Sequence, residues 1–211
     1  MKTDPKLVPR PIAGKRKLPI VILMTDAARA PDPVEAIARA PRGTAMIYRA
    51  YGLSPTHAEL ARLGQMARRK GVRLMVAGNL RASASAGVGG QHLPEHVVHQ
   101  STEHRFARRA RPDFLVTAAA HSESAVIAAA RAGADAVLIS PVFATQSHPG
   151  AKPLGIVRFA RLATMAHAHG LAVYALGGMT TDAARRRLSG ICITGVAGIS
   201  IGLAPKQKER A

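Results

Sequence analysis

The residues best suited to chemistry lie near the end of the chain: a glycine pair, Gly177-Gly178, and the triplet Gly198-Ile199-Ser200. Glycine has no Cβ, so backbone N–H groups there can approach an anion closely, and a helix start adds a favourable dipole. The chemistry this predicts is phosphate binding by Gly177, Gly178, Gly198, Ile199 and Ser200. The competing reading is that these glycines only turn the chain. A second cluster, His92, His96, His99 and His104, has side chains that ligate metals. Its spacing is mostly that of a solvated helix face, and no metal site is assigned to it. Cys192 is the only cysteine, which excludes a disulfide scaffold and suits a reducing compartment.

The elements that must position these groups follow from hydrophobic periodicity. Short apolar runs alternate with longer amphipathic ones. Strands are expected at 19–24, 44–48, 72–77, 90–93, 114–118, 136–139, 171–176 and 191–196. Helices are expected at 33–40, 55–70, 95–109, 122–132 (or from His121), 154–169 and 181–188, with a weak helical turn at 81–86. Ser54 reads as the N-cap of the second helix, Pro55 as its first residue and Gly71 as its stop. Gly133 and Gly170 stop two later helices. Alternating βα units imply a parallel sheet with right-handed crossovers, and eight of them imply a closed (β/α)8 barrel of the α/β class. A doubly wound open sheet is the runner-up, but the glycine fingerprint expected after its first strand is replaced by Met24-Thr25-Asp26. One domain spans 18–204, preceded by a basic, proline-containing segment, 1–17, that reads as loosely packed and followed by a basic tail, 205–211.

In such a barrel the site lies at the C-terminal ends of the strands, and the last two loops form the usual phosphate-binding pair. The segments there include Thr25-Asp26, Arg49-Ala50-Tyr51, Gly78-Asn79, His92-Leu93-Pro94, Ala119-Ala120-His121, the loop 140–148, and the two glycine segments. They are rich in glycine, hydroxyls and histidine and poor in carboxylates. That favours an anionic ligand over a metal centre built of Asp and Glu.

The composition fits this reading. In 211 residues there are 30 Lys and Arg against 12 Asp and Glu, a formal net charge of +18. Anionic metabolites, an anionic surface or nucleic acid could all draw on such an excess. Arg68-Arg69-Lys70, Arg108-Arg109 and Arg185-Arg186-Arg187 fall on expected helices and read as solvated faces. Nucleic-acid binding would need a recognisable module or aromatic stacking platforms, and aromatics make up 3% of the chain; it is kept as a minor alternative, through the basic tails. With 47% hydrophobic residues and no Trp, the core is expected to be aliphatic. No apolar run approaches the ~18 residues of a membrane span, and the run at 18–24 is too short for a secretory signal, so a cytoplasmic location with no membrane contact is expected.

Several ordered motifs carry a family resemblance. They are Met24-Thr25-Asp26; Gln91-His92-Leu93-Pro94-Glu95; the stretch from Ala120-His121-Ser122 through Gly133-Ala134-Asp135 to Ser140-Pro141-Val142-Phe143-Ala144-Thr145; Ala175-Leu176-Gly177-Gly178-Met179; and Gly195-Val196-Ala197-Gly198-Ile199-Ser200. Over about residues 20 to 203 the chain resembles the thiamine phosphate synthase/TenI superfamily. The resemblance implies a (β/α)8 barrel in thiamine biosynthesis, acting on phosphorylated thiazole or pyrimidine molecules. The synthase joins hydroxymethylpyrimidine diphosphate to thiazole phosphate with the help of Mg2+. The TenI-type enzyme is a tautomerase that aromatises a thiazole phosphate carboxylate without a metal.

The departures from the family pattern discriminate between the two. Where the synthase has Gln-x-Arg-x-Lys, this chain has Ile47-Tyr48-Arg49-Ala50-Tyr51; its Mg2+-holding Asn-Asp is Asn79-Leu80. The Ser of its "S-x-H" is Ala119, and the Lys of its "T-x-T-K" loop is His148 in Thr145-Gln146-Ser147-His148. Leu80 cannot ligate a hard cation, which takes oxygen ligands. Glu95 could replace one lost group, but several losses together are harder to replace. The resemblance makes His121 the expected acid/base of a tautomerase, since histidine takes and returns protons near neutral pH. Arg49, Asn79, Thr145, Ser147 and His148 are the expected substrate-binding residues, with Thr145 and Ser147 suited to the carboxylate. No cofactor is expected, Mg2+ entering only under the synthase alternative. A non-catalytic phosphate-binding member is a further alternative, and assembly into a homo-oligomer stays open.

Overall fold

Each apolar run becomes a short strand because both of its faces find cover, one inside a barrel and one beneath helices. The strands are β1 Val21–Met24, β2 Ala45–Tyr48, β3 Arg73–Ala77, β4 Gly90–Leu93, β5 Leu115–Ala120, β6 Ala136–Ile139, β7 Ala172–Leu176 and β8 Gly195–Gly198. The helices between them are α1 Pro33–Arg39, α2 His57–Lys70, α3 Glu95–Val98, α4 Glu123–Ala132 and α5 Gly155–Ala168. The computed structural model describes residues 18–26, 32–50, 52–78, 87–98, 111, 113–145, 150, 152–179 and 186–199. The segments 1–17 and 205–211 and the turn at 81–86 lie outside the described residues. So do most of the expected helix 95–109 beyond α3 and the first residues of the helix at 181–188.

Every strand pairs in parallel with the next, and β8 returns to β1 with Val21 opposite Val196 and Leu23 opposite Gly198. The eight strands thus close into a barrel, and the (β/α)8 architecture expected from the alternation is the one observed. Closure leaves no unpaired sheet edge. Alternate residues then segregate. Ile22, Ile47, Met75, Leu138 and Tyr174 belong to the interior cluster. Leu23, Met46, Leu74 and Val76 pack with Ile37 of α1 and with Leu60 and Leu63 of α2. Val116, Val137 and Val173 pack with Val126 of α4 and Phe159 and Leu162 of α5.

Four details differ from the sequence expectations. The N-cap of α2 is Thr56 rather than Ser54, and the helix starts at His57. Thr56 and Glu59 form a reciprocal capping box, which satisfies two amide donors where a Ser54 cap with Pro55 satisfies one. The fifth strand runs on to Ala120, because its pairing with β6 continues through Ala120 opposite Ile139. The last strand is displaced from 191–196 to 195–198. Ile191 and Ile193 instead pack against the outer core, and pairing with β1 starts where Gly195 admits the close approach of Ile20. Finally, the core is not purely aliphatic: Tyr174, Phe114 and Phe159 are its largest fully buried side chains. Burial pushes the Tyr174 hydroxyl well above its ordinary range, and that hydroxyl donates to the Pro19 carbonyl at 2.7 Å.

Candidate functional site at the barrel mouth

The C-terminal ends of the parallel strands all open at one end of the barrel, so their terminal residues gather there without further design. At the end of β1, Thr25 and Asp26 hold Arg49 at the end of β2. The Arg49 amide donates to Thr25 Oγ1 at 2.8 Å, its Nε donates to the Thr25 carbonyl at 2.7 Å, and Nη2 lies 3.5 Å from Asp26 Oδ2. The guanidinium is therefore fixed in place, and it is partly exposed at the strand ends.

His92, on β4, alternates with the outward-packed Leu93 and so faces the barrel interior. It is 4% exposed, and its Nδ1 lies 2.9 Å from Thr117 Oγ1 of β5. Burial, with a smaller contribution from the Arg49 charge, pushes its pKa down to about 3. His92 is thus a neutral polar side chain in the barrel and not part of a solvated helix face. Of the other histidines in that cluster, His96 lies on α3, and His99 and His104 lie outside the described residues. No group of three or more His, Cys, Asp or Glu among the described residues could hold a metal ion.

His121 follows β5 directly and precedes Ser122, whose hydroxyl caps α4 by accepting from the Ala125 amide. This strand-to-helix corner sets the ring at the mouth, with its side chain 51% exposed. Nδ1 lies 2.7 Å from the Ser140 carbonyl at the end of β6, and Ser140 Oγ is 3.2 Å from the same nitrogen. A carbonyl only accepts, so Nδ1 carries the hydrogen and Nε2 is left for chemistry. Glu95 Oε2, from the first residue of α3, lies 3.6 Å from Nε2.

The loops after β6 and β7 are joined. Val142 N donates to the Leu176 carbonyl at 2.9 Å and Phe143 N to the Gly177 carbonyl at 3.2 Å. Gly177 and Gly178 both have positive φ, 95° and 68°. A Cβ at Gly177 would stand 2.9 Å from Pro141 Cα, and one at Gly178 would stand 2.6 Å from Phe143 Cβ. The pair is therefore required by chain turning and by close packing. Two consecutive positive-φ residues set their N–H groups side by side at the strand ends, an arrangement that suits an anion.

The expected residues Arg49, His121, Thr145, Gly177, Gly178, Gly198 and Ile199 all fall at this end of the barrel. Gly198 is itself the last residue of β8, and Ile199 packs against the interior cluster. Asn79, Ser147, His148 and Ser200 lie outside the described residues, as do Tyr51 and Leu80. Sequence reasoning did not find the Ser140 carbonyl as the partner of His121, since a backbone acceptor leaves no residue-type signal. It met Glu95 only as a stand-in for a metal ligand. Among the described residues, no helix is long and apolar enough to cross a membrane.

Comparison with known proteins agrees with this geometry. The family model described as thiamine monophosphate synthase matches residues 21–202. A curated relative from Aquifex aeolicus, "Putative thiamine-phosphate synthase 2", is 36% identical over 118 residues. That match covers 54% of this chain and 57% of the relative, little more than half of each. A solved thiamine phosphate pyrophosphorylase from Pyrococcus furiosus superposes with a TM-score of 0.62 at 21% identity, over 85% of each chain. FabK from Thermotoga maritima gives 0.64 at 16% identity, over 87% of this chain and 58% of that one. An HpcH/HpaI aldolase from Desulfitobacterium hafniense gives 0.61 at 16% identity, over 86% of each. At such identities the superpositions show a shared barrel, as expected for a fold that carries many chemistries. The family model is more specific, because its match runs from β1 past the end of β8: the chain belongs to the thiamine monophosphate synthase family.

Proposed function

We propose that the protein binds a phosphorylated thiazole at the barrel mouth and moves a proton on it through His121, the tautomerase branch of its family's chemistry. The observation that carries this reading is the His121 ring, held by the Ser140 carbonyl at Nδ1 with Nε2 left at the strand ends. Nε2 takes a proton from one position of the thiazole and returns it to another, so atoms and charge balance over the cycle. The ligand phosphate lies on the Gly177 and Gly178 amides beside the end of β8, and Arg49 and Thr145 face its carboxylate. The +18 net charge of the chain raises the local concentration of such an anion.

The donor set does not fit Mg2+. The family's metal position is Leu80, Asp26 is engaged by Arg49, and Glu95 is directed at His121. A hard cation takes several oxygen ligands, and these residues do not supply them together. No step is therefore routed through Mg2+, and no cofactor is assigned.

The test is a pair of assays on the purified protein. Thiazole phosphate carboxylate, followed by proton NMR in the presence of a chelator, is expected to convert to its aromatic isomer. Hydroxymethylpyrimidine diphosphate, thiazole phosphate and Mg2+ together are expected to give little thiamine phosphate. Robust Mg2+-dependent synthesis would reverse the assignment in favour of the synthase. Tight binding of thiazole phosphate with neither conversion would leave a phosphate-ligand carrier.

A further inference from the structure

We propose that Glu95 is the positioning residue of the site: it accepts a hydrogen bond from the N–H formed at His121 Nε2 and so holds the ring in register until Nε2 returns that proton to the thiazole. The inference rests on the proton-transfer reading of His121 and extends it to a second side chain.

Three observations carry it. Glu95 Oε2 is shielded from solvent and has no hydrogen-bond partner. Among the described residues, the donor-capable atom paired with it is His121 Nε2, at 3.6 Å, beyond the range of a hydrogen bond. And Nδ1 of the same ring is committed as a donor to the Ser140 carbonyl. In the neutral ring, Nε2 is therefore a lone pair confronting a carboxylate oxygen. Two acceptors face each other, which explains both the gap and the unpartnered oxygen. When Nε2 takes a proton the conflict resolves. Nε2–H then donates to Oε2, Nδ1–H still donates to Ser140, and the ring is pinned at both nitrogens. A buried carboxylate oxygen without a donor is unfavourable, and an N–H at Nε2 is a donor that satisfies it. The neighbouring acidic groups have other partners: Glu123 lies 3.1 Å from Arg161 Nε, and Asp26 pairs with Arg49.

The proposal is tested with Glu95→Gln and Glu95→Asp beside His121→Asn, reading turnover on thiazole phosphate carboxylate and the ring 15N resonances of His121. Glu95→Gln keeps the shape but not the charge, and is expected to lower kcat about 10–100-fold with KM changed less than about twofold. Glu95→Asp keeps the charge but not the reach, and recovers part of the loss. The Nε2 resonance is expected to move in Glu95→Gln while the Nδ1 resonance stays where Ser140 holds it. A Glu95→Gln protein with wild-type kcat, or with an unmoved Nε2 resonance, overturns the proposal. The parent reading fails separately, if wild type does not turn over or if His121→Asn turns over normally. The resonance readout still decides whether the two side chains are paired, because it needs no substrate.

Discussion

At the scale of single residues, two histidines of this barrel have opposite environments and different work. His121 is half exposed at the strand ends; positioned acid/base groups contribute about 10²–10⁴-fold in rate, so under the proposed proton-transfer role His121→Asn is expected to lower kcat on thiazole phosphate carboxylate by that factor. Thiazole phosphate should still bind, since the glycine amides and Arg49 remain, and calorimetry on the variant checks this. His92 is buried, with a pKa of about 3 against an ordinary 6.5, so the unfolded chain takes up its proton first as pH falls. The stability that this group contributes is fully present above about pH 6.5 and is lost as pH falls from there towards 3. Within that window the slope is at most about 1.4 kcal/mol per pH unit, one proton. Urea unfolding over a pH series should show wild type losing stability more steeply below pH 6.5 than His92→Gln. Equal slopes would mean that His92 protonates freely in the fold. His121 was legible in the sequence because its motif places it after a strand. The burial of His92 was only half legible: the expected strand 90–93 contains it, but a four-residue run does not say which of its faces turns inward.

At the scale of elements, legibility followed how local the determining contacts are. The C-terminal stops of α2 and α4 were readable because Gly71 and Gly133 take the left-handed conformation that ends a helix, and both do so here. The start of α2 was misplaced by two residues, although the capping-box signature was in the sequence: Thr56 followed at the third position by Glu59. Proline at the first helical turn is a preference, whereas the reciprocal box makes two hydrogen bonds, 3.2 Å from the Glu59 amide to Thr56 Oγ1 and 2.7 Å from the Thr56 amide to Glu59 Oε2. Those bonds from Thr56 hold the Glu59 carboxyl below its ordinary range. Thr56→Ala removes one bond and unseats the other, and should cost about 1 kcal/mol of stability in denaturant unfolding. Ser54→Ala should cost much less, and the reverse order would return the cap to Ser54. The last strand was misplaced for a less local reason. Ile191 and Ile193 are as apolar as a strand requires, and only their packing against the outer core shows that they lie before it.

At the scale of the whole molecule, eight alternating units could be counted in the sequence, but what closes them into a barrel could not. Closure depends on the seam between β8 and β1, where Val196 N donates to the Ile20 carbonyl at 3.0 Å. The residue before it, Gly195, sits so close to that carbonyl that an added Cβ would stand 2.0 Å from the oxygen. The obstacle is backbone, so no rotamer change can relieve it. Either β8 slides along β1 or the seam opens. Gly195→Ala is therefore expected to cost about 1–3 kcal/mol or more, the usual range for overpacking a tight interior. It should also have a functional effect, because the end of β8 carries Gly198 and Ile199 to the side of the mouth where the Gly177-Gly178 amides lie. Moving the seam separates the two halves of the proposed phosphate site, so thiazole phosphate affinity should fall together with stability. Denaturant unfolding and calorimetry on the same preparation check both. A Gly195→Ala protein with the wild-type midpoint and wild-type affinity would show that the barrel tolerates a shifted seam and that the phosphate site does not depend on the end of β8.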